Sequence, residues 1–134
     1  MPTNPKHWTI AGWALTTLVL LFLAMDTTIK LLGVREVLET TAALGWPGTV
    51  GMARLLGIVL LVPALLYAVP RTAILGAILL TAYLGGAVAT HVRIGNPLFS
   101  HTLFGVYVGV ILWAGLWLRM PRLRALLAGT GETA

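Results

Sequence analysis

The sequence predicts an all-α integral membrane protein: a four-helix bundle with a short amphipathic surface helix between its first and second spans. Three observations predict it. Of 134 residues, 58% are hydrophobic and only 10% charged, against roughly 25% charged in a soluble domain. The mean hydropathy is +0.93. Four apolar segments, about 8–32, 50–69, 72–91 and 98–118, each approach the 17–25 residues a spanning helix needs. Little chain lies between them, so residues 1–134 read as a single transmembrane domain without a soluble catalytic part. Any chemistry belongs to the bundle or its two short outer loops.

The first seven residues, with Pro2 and Pro5, are expected to form a disordered arm. Trp8 and Trp13 then sit where an interfacial aromatic belt anchors the first helix. This helix is apolar from Ile10 to Met25 and then meets Asp26 and Lys30, i,i+4 neighbours on one face. Lys30 is close enough to the helix end to snorkel while Asp26 stays deeper. In the loop that follows, Val34, Val37, Leu38, Thr41, Ala42 and Leu44 define one face of a short helix. Arg35, Glu36 and Glu39 fall on its wet side, Gly45 stops it, and Trp46–Pro47–Gly48 turns the chain back. It reads as a half-helix on the outer surface, a cap on the bundle.

The second span carries Arg54 about one turn inside the membrane, and Pro63 deep within, where the missing N–H is expected to bend it. A tight turn at Val69–Pro70–Arg71 makes the second and third spans antiparallel neighbours. The third is uncharged over nineteen residues, Thr72 to Thr90, and closes on His91, Arg93 and Gly95. The fourth follows Gly95–Asn96–Pro97, carries Ser100, His101 and Thr102 in its first turn, and ends at Trp113, Trp117 and Arg119. One more basic, apolar turn follows, and about 125–134 is expected to be a disordered tail.

The net charge of +5 fits topology better than nucleic-acid binding. Lys6, Arg71, Arg119, Arg122 and Arg124 collect at one set of helix ends. Glu36 and Glu39 offset Arg35 at the other set. The positive-inside rule then puts both termini and the Pro70–Arg71 turn in the cytoplasm of a multi-pass protein in the inner (plasma) membrane. There is no cysteine, which excludes dithiol redox chemistry, a haem thiolate and Cys-based zinc or iron–sulfur sites. No A-x-A pattern follows the first apolar run, so a removed signal peptide is not predicted.

With this topology Asp26, Lys30, Arg54, His91 and His101 all reach the outer third of the bundle, with Arg93 at its rim. Ionisable groups inside a membrane cost on the order of 3 kcal/mol each and by default mark a functional site. Blander readings stand beside that one. Asp26 with Arg54 or Lys30 is also a structural ion pair, and the histidines are also interfacial residues bonded to loop carbonyls. His91, His101 and Asp26 are suitable ligand types for a metal. They lack ligand-type local spacing, and Lys30 and Arg54 disfavour a cation, so no metal is assigned. His91 shares a face with Leu80, Leu84, Ala87 and Val88, and His101 with Gly105, Val108 and Leu112. That arrangement suits a polar ring with an isoprenoid tail, and it suits close helix packing equally. Gly85–Gly86 and Gly105-x-x-x-Gly109 fit packing within the chain better than a dimer seam.

Several strings resemble the small DoxX-like membrane proteins over nearly the whole chain. They are Asp26-x-x-x-Lys30, Leu44-Gly45-x-Pro47, Pro70-Arg71-Thr72 and, most specific, the run from Gly76 through Tyr83-Leu84-Gly85-Gly86 to His91-x-Arg93-x-Gly95-x-Pro97. The resemblance implies a four-helix membrane bundle. The family takes its name from a subunit of a quinone-linked thiosulfate-oxidising complex, and relatives are linked to redox assembly, receptor assembly or cargo handling. Many close relatives carry an acidic residue in the second helix. Here that helix has none, which weakens transfer of a carboxylate-based mechanism.

Two functions are therefore expected, in order. The first is a ligand-binding or redox-accessory protein with a quinone as favoured ligand, Asp26, Lys30, Arg54, His91, Arg93 and His101 as ligand-binding residues, and no catalytic residue assigned. If chemistry occurs, His91 or His101 carries protons and Asp26 orients the ring. The second is a non-catalytic assembly factor or chaperone for another membrane protein or redox enzyme. Both have the lipid bilayer as partner, and both are compatible with a monomer or an oligomer. A channel ranks third, because four helices with no inverted repeat and one polar end offer no path through.

Overall fold

The computed structural model describes residues 4–130; the first three residues of the expected arm and the last four of the expected tail lie outside it. The described residues are helical nearly throughout. Their elements are α1 (Lys6–Leu32), α2 (Arg35–Ala43), α3 (Val50–Ala68), α4 (Ala73–Arg93), a π-helical turn (Leu98–Thr102), α5 (Phe104–Arg119) and α6 (Pro121–Leu127). Four helices, α1, α3, α4 and the unit Leu98–Arg119, are long and apolar enough to cross a membrane. The short helix between the first two spans is α2.

Helix α1 packs on α5 and α3, and α4 packs on the same two, so α1 and α4 stand diagonally across the bundle. One end gathers the start of α1, the α3–α4 turn and the end of α5, and is called the terminal end below. The other carries α2 and is called the cap end.

Glycines decide how closely the helices approach. A Cβ on Gly76 would sit 2.2 Å from the backbone nitrogen of Tyr67, so α3 and α4 meet backbone to backbone after their turn. A Cβ on Gly12 would lie 2.7 Å from the backbone nitrogen of Arg119, so α1 and α5 do the same. Between them the terminal half fills with buried Val19, Leu60, Tyr67, Leu80, Leu112 and Leu116. The cap half is different. All buried residues of α4 fall between Ala73 and Leu80, and from Thr81 to Arg93 one face of this helix lines open space while Leu84 and Val88 pack on Gly105.

Three expectations change. The first is the arm: α1 begins at Lys6, and Asn4 ties the chain down by donating to the Leu118 carbonyl at 2.8 Å. The second is the tail: order continues through α6 to Leu127 rather than stopping near 125. Pro121 at its first turn suits a helix start, Leu123 is buried, and Arg124 bonds Asn4 Oδ1 and the Trp117 carbonyl. The third is the start of the fourth span, which is not an α-helical turn but a π turn. There the Thr102 and Leu103 N–H groups reach back five residues to Pro97 and Leu98 at 3.1 and 2.9 Å. Thr102, buried there, also donates its hydroxyl to the Asn96 carbonyl at 3.2 Å.

Candidate functional site

The open space of the cap half is a chamber of about 730 Å³, within the 300–1,000 Å³ usual for small-molecule sites. All four spans and α2 contribute to its wall. Phe22, Leu56, Val59, Leu84, Ala87 and Phe104 make its apolar part. Phe22 and Phe104 meet edge to face with centroids 5.3 Å apart. Asp26, Lys30, Tyr83, His91 and His101 make its polar part, and Glu36, Thr41 and Trp46 come from the α2 region.

Helical periodicity places the polar groups. Asp26 and Lys30 are one turn apart on α1, and their carboxylate and ammonium are hydrogen-bonded. Their side chains are only 25% and 17% exposed. Lys30 thus folds back onto Asp26 rather than snorkelling outward. Its Cβ region lies under Gly57 of α3, which holds the stem in place, and in a low-dielectric setting the carboxylate is the better partner. The Asp26–Lys30 pair is neutral as a unit, and Glu36 of α2 adds one negative charge to the lining.

His91 and His101 come from the last turn of α4 and the π turn, with ring centroids 6.1 Å apart. The amide nitrogen of Asn96 lies 2.6 Å from His91 Nδ1. As a donor it makes Nδ1 the acceptor, so the proton of the neutral ring sits on Nε2. Ser100 Oγ lies 2.7 Å from His101 Nδ1. Each histidine therefore has a neighbouring side chain against Nδ1, and neither Nε2 has a hydrogen-bond partner among the described residues. Among the described residues, no three His, Asp or Glu side chains come together as a metal site.

The structure brings four of the six expected site residues to one chamber and leaves two outside its wall. Arg54 donates through Nε to the Leu31 carbonyl at 3.0 Å. Arg93 donates through Nη2 to the Leu44 carbonyl at 2.8 Å. Both fasten the segments flanking α2, and Asp26 pairs with Lys30 rather than Arg54.

A second polar cluster, at the terminal end, was not anticipated. Arg119, 8% exposed, donates from Nε to Thr16 Oγ1 at 3.0 Å and lies over the Trp13 ring, 4.2 Å from its centroid. Fully buried Tyr67 stands 3.4 Å from the same Thr16 oxygen and donates to the Leu112 carbonyl at 3.0 Å. The signal for it was available: Gly12-x-x-x-Thr16 and Gly115-x-x-x-Arg119 repeat small and polar residues at helical spacing on two helices.

A family model described as the DoxX-like family matches residues 14–115. The chain belongs to the DoxX-like family. The match spans the chamber's α1, α3, α4 and α5 walls, so the DoxX-like part of the chain contains both polar clusters except Trp13 and Arg119. No curated protein matches the chain, and no solved structure does. The DoxX-like chain is thus a membrane protein by family and by its four apolar helices.

Proposed function

We propose that the chamber binds a membrane-soluble small molecule with a polar ring, and that a quinone is the favoured ligand class. The observation that supports this most is the contrast between the two halves of the bundle. One half is filled by interdigitated side chains; the other is hollow and has Asp26, Lys30, His91 and His101 in its lining. Keeping such groups in a membrane is costly, and close packing of the bundle does not require them.

In this reading the ring enters the polar layer and the tail runs along Phe22, Leu84 and Phe104. His91 Nε2–H donates to a ring carbonyl, with the Asn96 bond holding the imidazole in that tautomer. The Asp26–Lys30 pair supplies a fixed dipole beside it. A redox-accessory role follows if the bound ring exchanges protons, with His91 or His101 as carrier and Asp26 as the orienting group. The excess of Lys and Arg at the terminal end favours that end as cytoplasmic, in a plasma-membrane setting.

Trp46 in the chamber wall provides the readout. Titration with a short-tailed quinone should quench its emission saturably, and Trp46→Phe should remove most of that change. His91→Ala should weaken binding about tenfold, the effect of losing one buried hydrogen bond. Quenching that is linear in quinone and indifferent to His91 would contradict the proposal.

A second reading rests on a different observation. A groove of about 570 Å³ runs along the outside of α4 and α5, lined by Thr81, Gly85, Val88, Val106, Gly109 and Trp113. Nothing lies within 4 Å of a Cβ built on Gly85, so another backbone could approach closely there. That favours a non-catalytic assembly factor for another membrane protein. Gly85→Leu with Gly109→Leu should abolish such a role and leave quinone titration unchanged.

A further inference from the structure

The buried cation at the terminal end is used neither by the chamber nor by the groove. An arginine cannot shed its proton in a protein, and burying an unmet charge costs several kcal/mol. Arg119 is nine-tenths buried, yet it forms no ion pair among the described residues. Its Nη2 has no hydrogen-bond partner among them. Thr16 and the Tyr67 hydroxyl offer neutral oxygens, and the Trp13 and Tyr67 rings lie 4.2 and 5.7 Å from the guanidinium carbon. The C-terminal dipole of α5 supplies roughly half a negative charge. The remainder is unmet.

No described carboxylate can supply it. Asp26 is taken by Lys30 and Glu39 by Arg35, and with Glu36 they lie toward the cap end. The surroundings at the terminal end are all of one sign, with Lys6, Arg71 and Arg122 exposed. Trp8 and Trp117 stack there at 5.7 Å, with Arg124 lying 5.1 and 5.3 Å from their ring centroids. Tryptophans of this kind mark the depth of lipid head groups. A guanidinium at that depth, held through Nε and with a buried Nη2 that lacks a partner among the described residues, carries the donors that take phosphate oxygens by a fork of two N–H groups.

We propose that Arg119 is the seat of an anion-binding site at the terminal end, and that its occupant is a phosphate group of net negative charge, without a cationic head-group partner, at the membrane boundary. The site is independent of the chamber and of its ligand.

The test is thermal unfolding of the full chain in neutral detergent with added phosphatidylglycerol, phosphatidylcholine or inorganic phosphate. Phosphatidylglycerol should raise the Tm and phosphatidylcholine should not. The gain should vanish in Arg119→Gln and persist in Arg122→Gln. Because Arg119→Gln can weaken folding, native mass spectrometry of Arg119→Lys provides the second arm. It should retain phosphatidylglycerol over phosphatidylcholine about tenfold less well than the parent, since the ammonium keeps the charge but loses the fork. A Tm gain from inorganic phosphate alone assigns the site to free phosphate, and its absence assigns the site to lipid. Equal response of the parent chain to both lipids, with none to phosphate, overturns the proposal. So does a response seen only after residues 131–134 are removed, for then the carboxylate of Glu132 or the chain end fills the site.

Discussion

Gly76 shows how much one residue decides. Its missing side chain lets α4 lie against the Tyr67 backbone, which positions the Tyr67 hydroxyl for Leu112 and Thr16. Gly76→Ala should cost about 3 kcal/mol, the upper range for overpacking, because backbone atoms cannot swing aside as a side-chain tip would. Denaturant unfolding in detergent would measure it. The residue sits in the string that carries the family resemblance, yet the string itself gives no hint of this contact. Asp26 and Lys30 were legible because i,i+4 spacing alone puts them together. Arg119 was not, because a basic residue after a tryptophan belt also fits ordinary interfacial placement. Only the paired glycine steps on α1 and α5 distinguish a buried arginine from a solvated one.

Helix α2 shows what happens between glycines. It hangs between Gly33 (φ 65°) and Gly45 (φ 85°), both in the left-handed region that side chains rarely adopt. Arg93 holds its far end through the Leu44 carbonyl, and a Cβ on Gly45 would lie 2.7 Å from Arg93 Nη2. Gly45→Val should therefore break the clasp and add roughly 1–2 kcal/mol of backbone strain. Hydrogen exchange should report faster opening of Arg35–Ala43, while the four spans keep their protection. The cap was legible from its two-faced pattern. The π turn at Leu98–Thr102 was not, because Pro97 signals that a helix begins without saying how its first carbonyls are shared.

Across the whole molecule, hydropathy makes four spans evident and their order makes antiparallel neighbours evident. It does not say that one half is filled and the other hollow. Leu80 and Leu84 are both leucines one turn apart on α4, yet one is fully buried and the other lines the chamber. The difference comes from where Gly76 brings α4 close to α3 and where, beyond Leu80, nothing does. Space left by geometry can be refilled. Ala87→Leu should place a larger side chain in the chamber wall, leave the Tm unchanged or slightly raised, and abolish quinone quenching of Trp46. A purely structural polar layer would show no such separation of stability from binding.

The central claim is that the hollow half holds a ligand. Native mass spectrometry of the protein released gently from membranes, with identification of what travels with it, tests this most directly. The account predicts a quinone or related isoprenoid at about one per chain, lost in His91→Ala and Asp26→Asn and excluded by Ala87→Leu. A chain that emerges bare, or with only bulk phospholipid that these three substitutions leave unchanged, would contradict it.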